Sequence, residues 1–262
     1  MSARFRSRLT GFVLGLAVFA AALWIWDAWP RSEATAFYFP SAGQIGGTAL
    51  DVWPSTEFRG AVDASLVRLA AGFSVGALAG IAVGLALGAS SVLRGTVGPT
   101  TEFLRAIPVI AVLPIAIVLL GDEDAMRIAV IAFGVFFPVL VATVDGVRGV
   151  SPEVRDTASL LRLRSVERSV LVDLPASLPT IAAGLRTALS IGLVLVVISE
   201  LRGAGDGLGV YIWTQSSLFA FPEVYAGILF LGLLGFVLNT LFVVFERRVL
   251  AWHYGSIGAR SR

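Results

Sequence analysis

The 262-residue chain is 56% hydrophobic and 15% charged, with a mean hydropathy of +0.85; soluble domains sit near about 45–50% apolar and 25% charged, so this composition belongs in a bilayer. All twenty basic side chains are Arg, there is no Cys, and His253 is the single His. That excludes a Walker A lysine, a Schiff-base lysine, thiolate chemistry and His/Cys metal clusters, so the chain cannot hydrolyse ATP through a phosphate loop of its own, and no metal or other cofactor is expected of it.

A hydrocarbon core of about 30 Å takes roughly 20 apolar residues in a helix. Runs of that kind lie at about 9–29, 66–89, 103–121, 126–144, 179–200 and 224–245. The expected fold is therefore an all-α integral membrane protein with six transmembrane helices, forming a single domain over 1–262. The first run follows Arg4, Arg6 and Arg8 and contains Ala20 to Ala22, as a secretory signal would, but it continues to Trp26 without a polar cleavage region. Trp24, Trp26 and Trp29 look like an interfacial belt, which favours a retained anchor.

Arginine distribution sets the expected orientation. With the N-terminus in the cytoplasm, thirteen arginines fall inside (Arg4, Arg6, Arg8, Arg94, Arg148, Arg155, Arg162, Arg164, Arg168, Arg247, Arg248, Arg260, Arg262) and four outside (Arg31, Arg59, Arg127, Arg202). The positive-inside rule then puts both termini in the cytoplasm. Arg68, Arg105 and Arg186 lie near span ends, where long side chains snorkel.

The outer segment at 30–65 holds Pro40, Gly43, Gly46, Gly47 and Pro54 and reads as a loop carrying a short surface helix. Span two carries Gly72, Gly76, Gly80, Gly84 and Gly88, one glycine every fourth residue. Such a stripe lets a neighbouring helix approach closely, either within the subunit's own bundle or at a subunit interface. Pro108 and Pro114 in span three interrupt the backbone ladder, through simple bending or because that helix lines a translocation route. Glu200, at the outer end of span five, is a candidate for substrate contact or gating and equally for capping the helix; Gln215, beside Tyr211 and Trp213, is a candidate for the path.

The inner connection at 145–178 balances five Arg against five acids and reads as a helical hairpin. It contains Asp156-Thr157-Ala158, three residues, Arg162, nine residues, then Val172-Asp173-Leu174-Pro175. Leu160, Leu161 and Leu163 alternate with Arg162 and Arg164, giving apolar knobs rimmed by charge that suit a protein partner better than lipid.

The spacing of this loop resembles that of permease subunits of ATP-binding-cassette importers, whose pattern is Glu-Ala-Ala, three residues, Gly, nine residues, Ile, any residue, Leu-Pro. Arg162 stands where that family has Gly, and Asp156-Thr157 replace Glu-Ala. The series Phe39-Pro40-Ser41, Arg105-Ala106-Ile107-Pro108, Phe136-Phe137-Pro138, Gly146-Val147-Arg148, Gly184-Leu185-Arg186, Ser199-Glu200, Gly207-Leu208-Gly209 and Glu246-Arg247-Arg248 is similar to the nitrate, sulfonate and taurine branch. The resemblance spans about 220 residues. It implies that residues 156–165, from Asp156 to Ser165, dock on an ATPase subunit that binds the ATP. It further implies a second permease copy, two ATPase subunits and an extracytoplasmic substrate-binding protein, all at a bacterial inner membrane. No nucleic-acid partner is expected. The rival reading, a secondary transporter driven by an ion gradient, calls for an internal repeat and a midplane acid, whereas the acids here cluster near span ends.

Overall fold

The structure, a computed structural model, describes residues 3–29, 32–161, 163–201 and 205–252, and their regular elements are all helical. Arg162 and His253 lie outside the described residues. The helices are α1 (Ala3–Ala28), α2 (Glu33–Tyr38), α3 (Ala42–Val52), α4 (Thr56–Ala89), α5 (Ser91–Ala106), α6 (Val109–Leu120), α7 (Asp124–Arg148), α8 (Pro152–Leu160), α9 (Ser165–Arg168), α10 (Leu174–Glu200), α11 (Leu208–Ser217) and α12 (Phe221–Val249). A π-helical turn, Ser169–Asp173, leads directly into α10.

Four of these are long and apolar enough to cross a membrane: α4, α7, the π turn with α10, and α12. One of the expected spans differs. The run at 103–121 is not one helix, because Ile107 is extended (φ −72°, ψ 122°) and α5 meets α6 at 92°. The ring of Pro108 disfavours the helical region for the residue before it, which ends α5 there. The run at 9–29 lies in α1, whose apolar part is Val13–Ala28. The segment expected as a loop is largely helical: α2 and α3 occupy it, and α4 begins at Thr56, well before the apolar run.

The chain divides into two compact units, Met1–Arg59 with Tyr211–Phe230 and Gly60–Val210 with Leu231–Arg262. In the first, Ser41 and Gln44 form a reciprocal cap on α3, and the Ala42 amide donates to Asp27 at 2.8 Å. Trp26 Nε1 donates to the Pro40 carbonyl and Trp53 Nε1 to that of Ala226, while the buried Phe58 ring stands edge-on to Tyr211 and Phe230.

The second unit is organised around α7. A Cβ added at Gly72, Gly76, Gly80, Gly84 or Gly88 would come within 3.0 Å of Ile131, Ala132 and Val135, Phe136 and Val139, Thr143, or Val147 respectively. The stripe thus receives a ridge of mostly β-branched residues, Ile131, Val135, Val139, Thr143 and Val147, spaced by four like the glycines themselves. Both series ascend together, so α4 and α7 run parallel. The chain leaving α4 must therefore return along the bundle before α7 starts, which makes the bent α5–α6 pair a return limb. In agreement, α6 runs antiparallel to α7, with Ile117 near Met126 and Val109 near Gly134. α10 lies antiparallel on another face of α7: Gly146 meets Ser177, Gly184 meets Ala142, and Gly134 meets Leu195. In a bilayer lipid tails are as apolar as leucine, so close packing at such small-residue seams carries much of the association.

Candidate functional site

Three features of the second unit bear on function. The first is the loop between α7 and α10. Pro152 at the first turn of α8 loses no helical hydrogen bond, and Arg155 Nη2 donates to the Val147 carbonyl at 2.7 Å, pinning α8 to the end of α7. Ala158 is buried against the loop's interior. Beyond it, Leu160 and Leu161 are 83% and 68% exposed, and Val170 and Leu171 of the π turn are exposed as well. Asp156 and Thr157 are exposed too, the latter bonding back to the Glu153 carbonyl. Leu163 is half-buried, and the amide of exposed Arg164 donates to Glu167 at 2.9 Å, starting α9, whose first residue is Ser165. At the hinge with α10, the carboxylate of Asp173 is buried with Arg168 Nε 3.4 Å away. At the start of α8, its own backbone amide and then the Ser151 hydroxyl hold Glu153 below the usual carboxylate range.

The second feature is a pair of adjoining cavities. One, of about 570 Å³, is lined by Arg105, Phe137, Pro138, Val141, Ala142, Asp145, Thr180, Ala183, Gly184 and Thr187. The other, of about 290 Å³, is bounded by the end of α4, by α5 with Arg94 and Glu102, and by α7 with Asp145 and Arg148. Val141 and Asp145 belong to both, so the two form one trough between α5, α7 and α10, mostly apolar in its walls with a few charged side chains at its edge. No residue of α5 is buried, which leaves its polar face open to this trough.

At the opposite end of the bundle lies the third feature, an ion cluster built on the buried side chains of Arg68, Arg127 and Glu200. Arg68 reaches Asp124 (2.7 Å), Glu200 (2.9 Å) and Asp206 (2.5 Å), and Arg127 adds Asp122 at 3.2 Å. Glu200 also accepts from the Ser65 hydroxyl and the Gly209 amide. Gly207 (φ 128°) passes so close that a Cβ there would lie 2.4 Å from the Glu200 carboxyl carbon. Only glycine takes that conformation and that contact without strain. The hydrogen bond from Arg68 holds Asp206 below the usual carboxylate range.

The structure therefore separates the residues singled out for the path. Pro108 marks the α5–α6 break and Pro114 lies within α6; Glu200 sits in the ion cluster; Gln215 is half-buried on α11, in the first unit. None of them lines the trough. The five stripe glycines face α7 within the chain's own bundle. Sequence reasoning missed Asp145, Thr180 and Thr187, and took Arg68, Arg105 and Arg186 for snorkelling side chains. Each of those arginines also has an acidic partner, Arg186 pairing with Glu246 of α12.

Comparison with known proteins fits this architecture. The family model for the binding-protein-dependent transport system inner membrane component matches residues 76–251. A Bacillus subtilis (strain 168) permease protein named for aliphatic sulfonates transport, SsuC, is 31% identical over 243 residues, covering 92% of this chain and 88% of that protein. The bicarbonate transport system permease protein CmpB of Synechococcus elongatus is 30% identical, with 94% of this chain and 92% of that one covered. The nitrate import permease protein NrtB of Leptolyngbya laminosa is 32% identical, with 72% and 68% covered. The chain belongs to the family of binding-protein-dependent inner-membrane permeases, the membrane subunits of ATP-binding-cassette importers.

Proposed function

We propose that this permease forms the translocation path for a small anion and is driven by separate ATPase subunits docked on the loop between α7 and α10. The observation that carries the reading is the exposure of Leu160 and Leu161 at the tip of a loop that is otherwise anchored through Arg155 and Ala158. Large aliphatic side chains held rigidly outside the bundle, with Arg164 beside them, make the desolvated centre and polar rim of a protein interface. ATP binds to the partner, since the permease has no lysine.

On this reading the crossings are α1, α4, the α5–α6 limb, α7, α10 and α12, an even number that keeps both termini on one side, and the arginine count makes that side the cytoplasm. Two identical copies pair, and a substrate-binding protein docks on the far side. Closure of the ATPases draws the two loops together, and the π turn passes that motion to α10. Relatives named for sulfonates, bicarbonate and nitrate support an anionic substrate.

The test is purification of the permease with its ATPase and uptake of labelled nitrate, bicarbonate and methanesulfonate into proteoliposomes supplied with the binding protein and ATP. ATP-dependent uptake of one of them is expected; uptake driven by an ion gradient without ATP defeats the reading. Because the chain has no Cys, Ser41→Cys and Ser165→Cys test orientation without background. Labelling by an impermeant reagent from outside is expected at the first position and not at the second.

A further inference from the structure

Three arginines border the trough, and they are not equivalent. Arg94 Nη1 donates to the carbonyls of Leu87 and Gly88, closing the end of α4. Arg148 borders only the smaller cavity. Arg105 lines the larger one and is paired with Glu102 at 2.5 Å, one helical turn away, with the two side chains 51% and 62% exposed. Water screens a pair that exposed, so it contributes little net free energy and a competing anion can take the place of Glu102. The Arg68–Glu200 pair contrasts with this, because both of its side chains are almost wholly enclosed and no competing anion can reach between them.

Asp145 stands where the two cavities join, and among the described residues its carboxylate has no ion pair or hydrogen bond. An anion held by Arg105 in this space is repelled by Asp145. A conducting path needs binding favourable enough for entry and weak enough for exit. The walls are otherwise apolar, chiefly Phe137, Pro138 and Val141, with the hydroxyl of Thr180 as a further side-chain donor, since that of Thr187 is given to the Ala183 carbonyl at 3.3 Å. The guanidinium fork matches two oxygens of a planar or tetrahedral oxyanion.

We infer that Arg105 is the specificity-determining contact for the anion in transit, exchanging Glu102 for the substrate, and that Asp145 speeds its release. Arg105 lies two residues before the extended Ile107 at the α5–α6 break, so hinging there swings the guanidinium towards or away from the trough. The inference rests on the anion reading above.

The experiment is the same proteoliposome uptake, with nitrate, bicarbonate and methanesulfonate as probes, scored as anion moved per ATP hydrolysed. Arg105→Gln is expected to lower that ratio by about tenfold, the loss of one bidentate charge-assisted contact, and Arg105→Lys, which keeps the charge but not the fork, by less. Asp145→Asn is expected to let anion sealed inside the vesicles inhibit turnover at a lower concentration. A wild-type ratio in both Arg105 variants overturns the contact, and unchanged or weaker internal inhibition in Asp145→Asn overturns the release role. Should Arg105→Gln fail to assemble, as judged by copurified ATPase, Glu102→Gln decides. Without its internal competitor Arg105 must hold the anion longer and strengthen internal inhibition, and no change refutes the exchange. If the wild-type complex moves none of the three anions, the anion reading itself falls.

Discussion

The carboxylate of Glu200 is fully enclosed by protein and receives Nη1 of Arg68 at 2.9 Å, although 132 residues separate the two in sequence. Around that bond Ser65, Asp206 and Gly209 close the remaining hydrogen-bond positions. The pair fastens α4, the end of α10 and the start of α11. Removing Glu200 leaves the Arg68 guanidinium with Asp124 and Asp206 as ion-pair partners but without its one buried acceptor, at a cost of about 1–3 kcal/mol. Glu200→Ala is expected to lower the melting temperature and yield of the purified complex, and Glu200→Gln, which keeps the acceptor for Ser65, to do so less. Wild-type thermal stability in Glu200→Ala would show that the cluster is not a structural clasp.

The pH response of this clasp has a definite sign. Asp206 has a carboxyl held below the usual range by Arg68. A depressed acid contributes its stabilisation fully above its unfolded value, near about 3.9, and loses it as pH falls through the lower folded value. Its side chain is two-thirds exposed, so the contribution is small. Thermal stability is expected to be insensitive to this group down to about pH 4, and Asp206→Asn to remove part of the decline on further acidification. The measurement is melting temperature against pH for both proteins; parallel curves below pH 4 would contradict it.

Apolar runs are legible in the sequence because a helix in lipid needs only length and hydropathy, so α4, α7, α10 and α12 are found, although the polar start of α4 at Thr56 lies well before its apolar run. The α5–α6 limb is not. Pro108 was conspicuous, but the polar face of α5, with Arg94, Thr101, Glu102 and Arg105, dilutes its hydropathy, and only its last turn merged with the apolar run that follows. A window on composition cannot register a 92° bend. The ion cluster was hidden for a different reason, since its members come from four places in the chain. A signal was nonetheless available: Arg68, Asp122, Asp124, Arg127, Glu200 and Asp206 all fall near the same expected membrane face, where isolated charges would be costly.

The glycine stripe supports a graded prediction. A methyl at position 76 would lie 2.5 Å from the Ala132 carbonyl oxygen, a backbone atom that cannot step aside. Gly76→Ala must therefore push α4 from α7, with an overpacking cost of about 1–3 kcal/mol, and Gly80→Leu is expected to prevent assembly. On the same helix Gly60 has nothing within 4 Å of an added Cβ. Gly60→Ala is expected to be neutral or stabilising by about 0.5–1 kcal/mol through helix propensity. Comparing the yield and melting temperature of the three variants separates close packing from a general intolerance of substitution; equal behaviour at 60 and 76 would refute the seam.

Leu161 ends α8, its amide bonded to the Thr157 carbonyl at 3.2 Å, and with Leu160 it projects from a loop that the bundle itself does not need covered. Substitution at so exposed a position leaves the isolated permease intact, so any defect must arise in a complex. A central aliphatic anchor can contribute about 2 kcal/mol or more to a protein interface. Leu161→Ala is therefore expected to weaken ATPase docking and abolish the stimulation of ATP hydrolysis by loaded binding protein, and Leu161→Asp to prevent copurification, because a carboxylate would be desolvated without a partner. Arg162→Gly restores the residue of the resembling pattern and is expected to leave stimulation unchanged or only modestly weaker. ATPase activity of reconstituted complexes with and without loaded binding protein measures all three. Full stimulation in Leu161→Asp would mean that the ATPase engages another surface and that this loop does not transmit the power stroke.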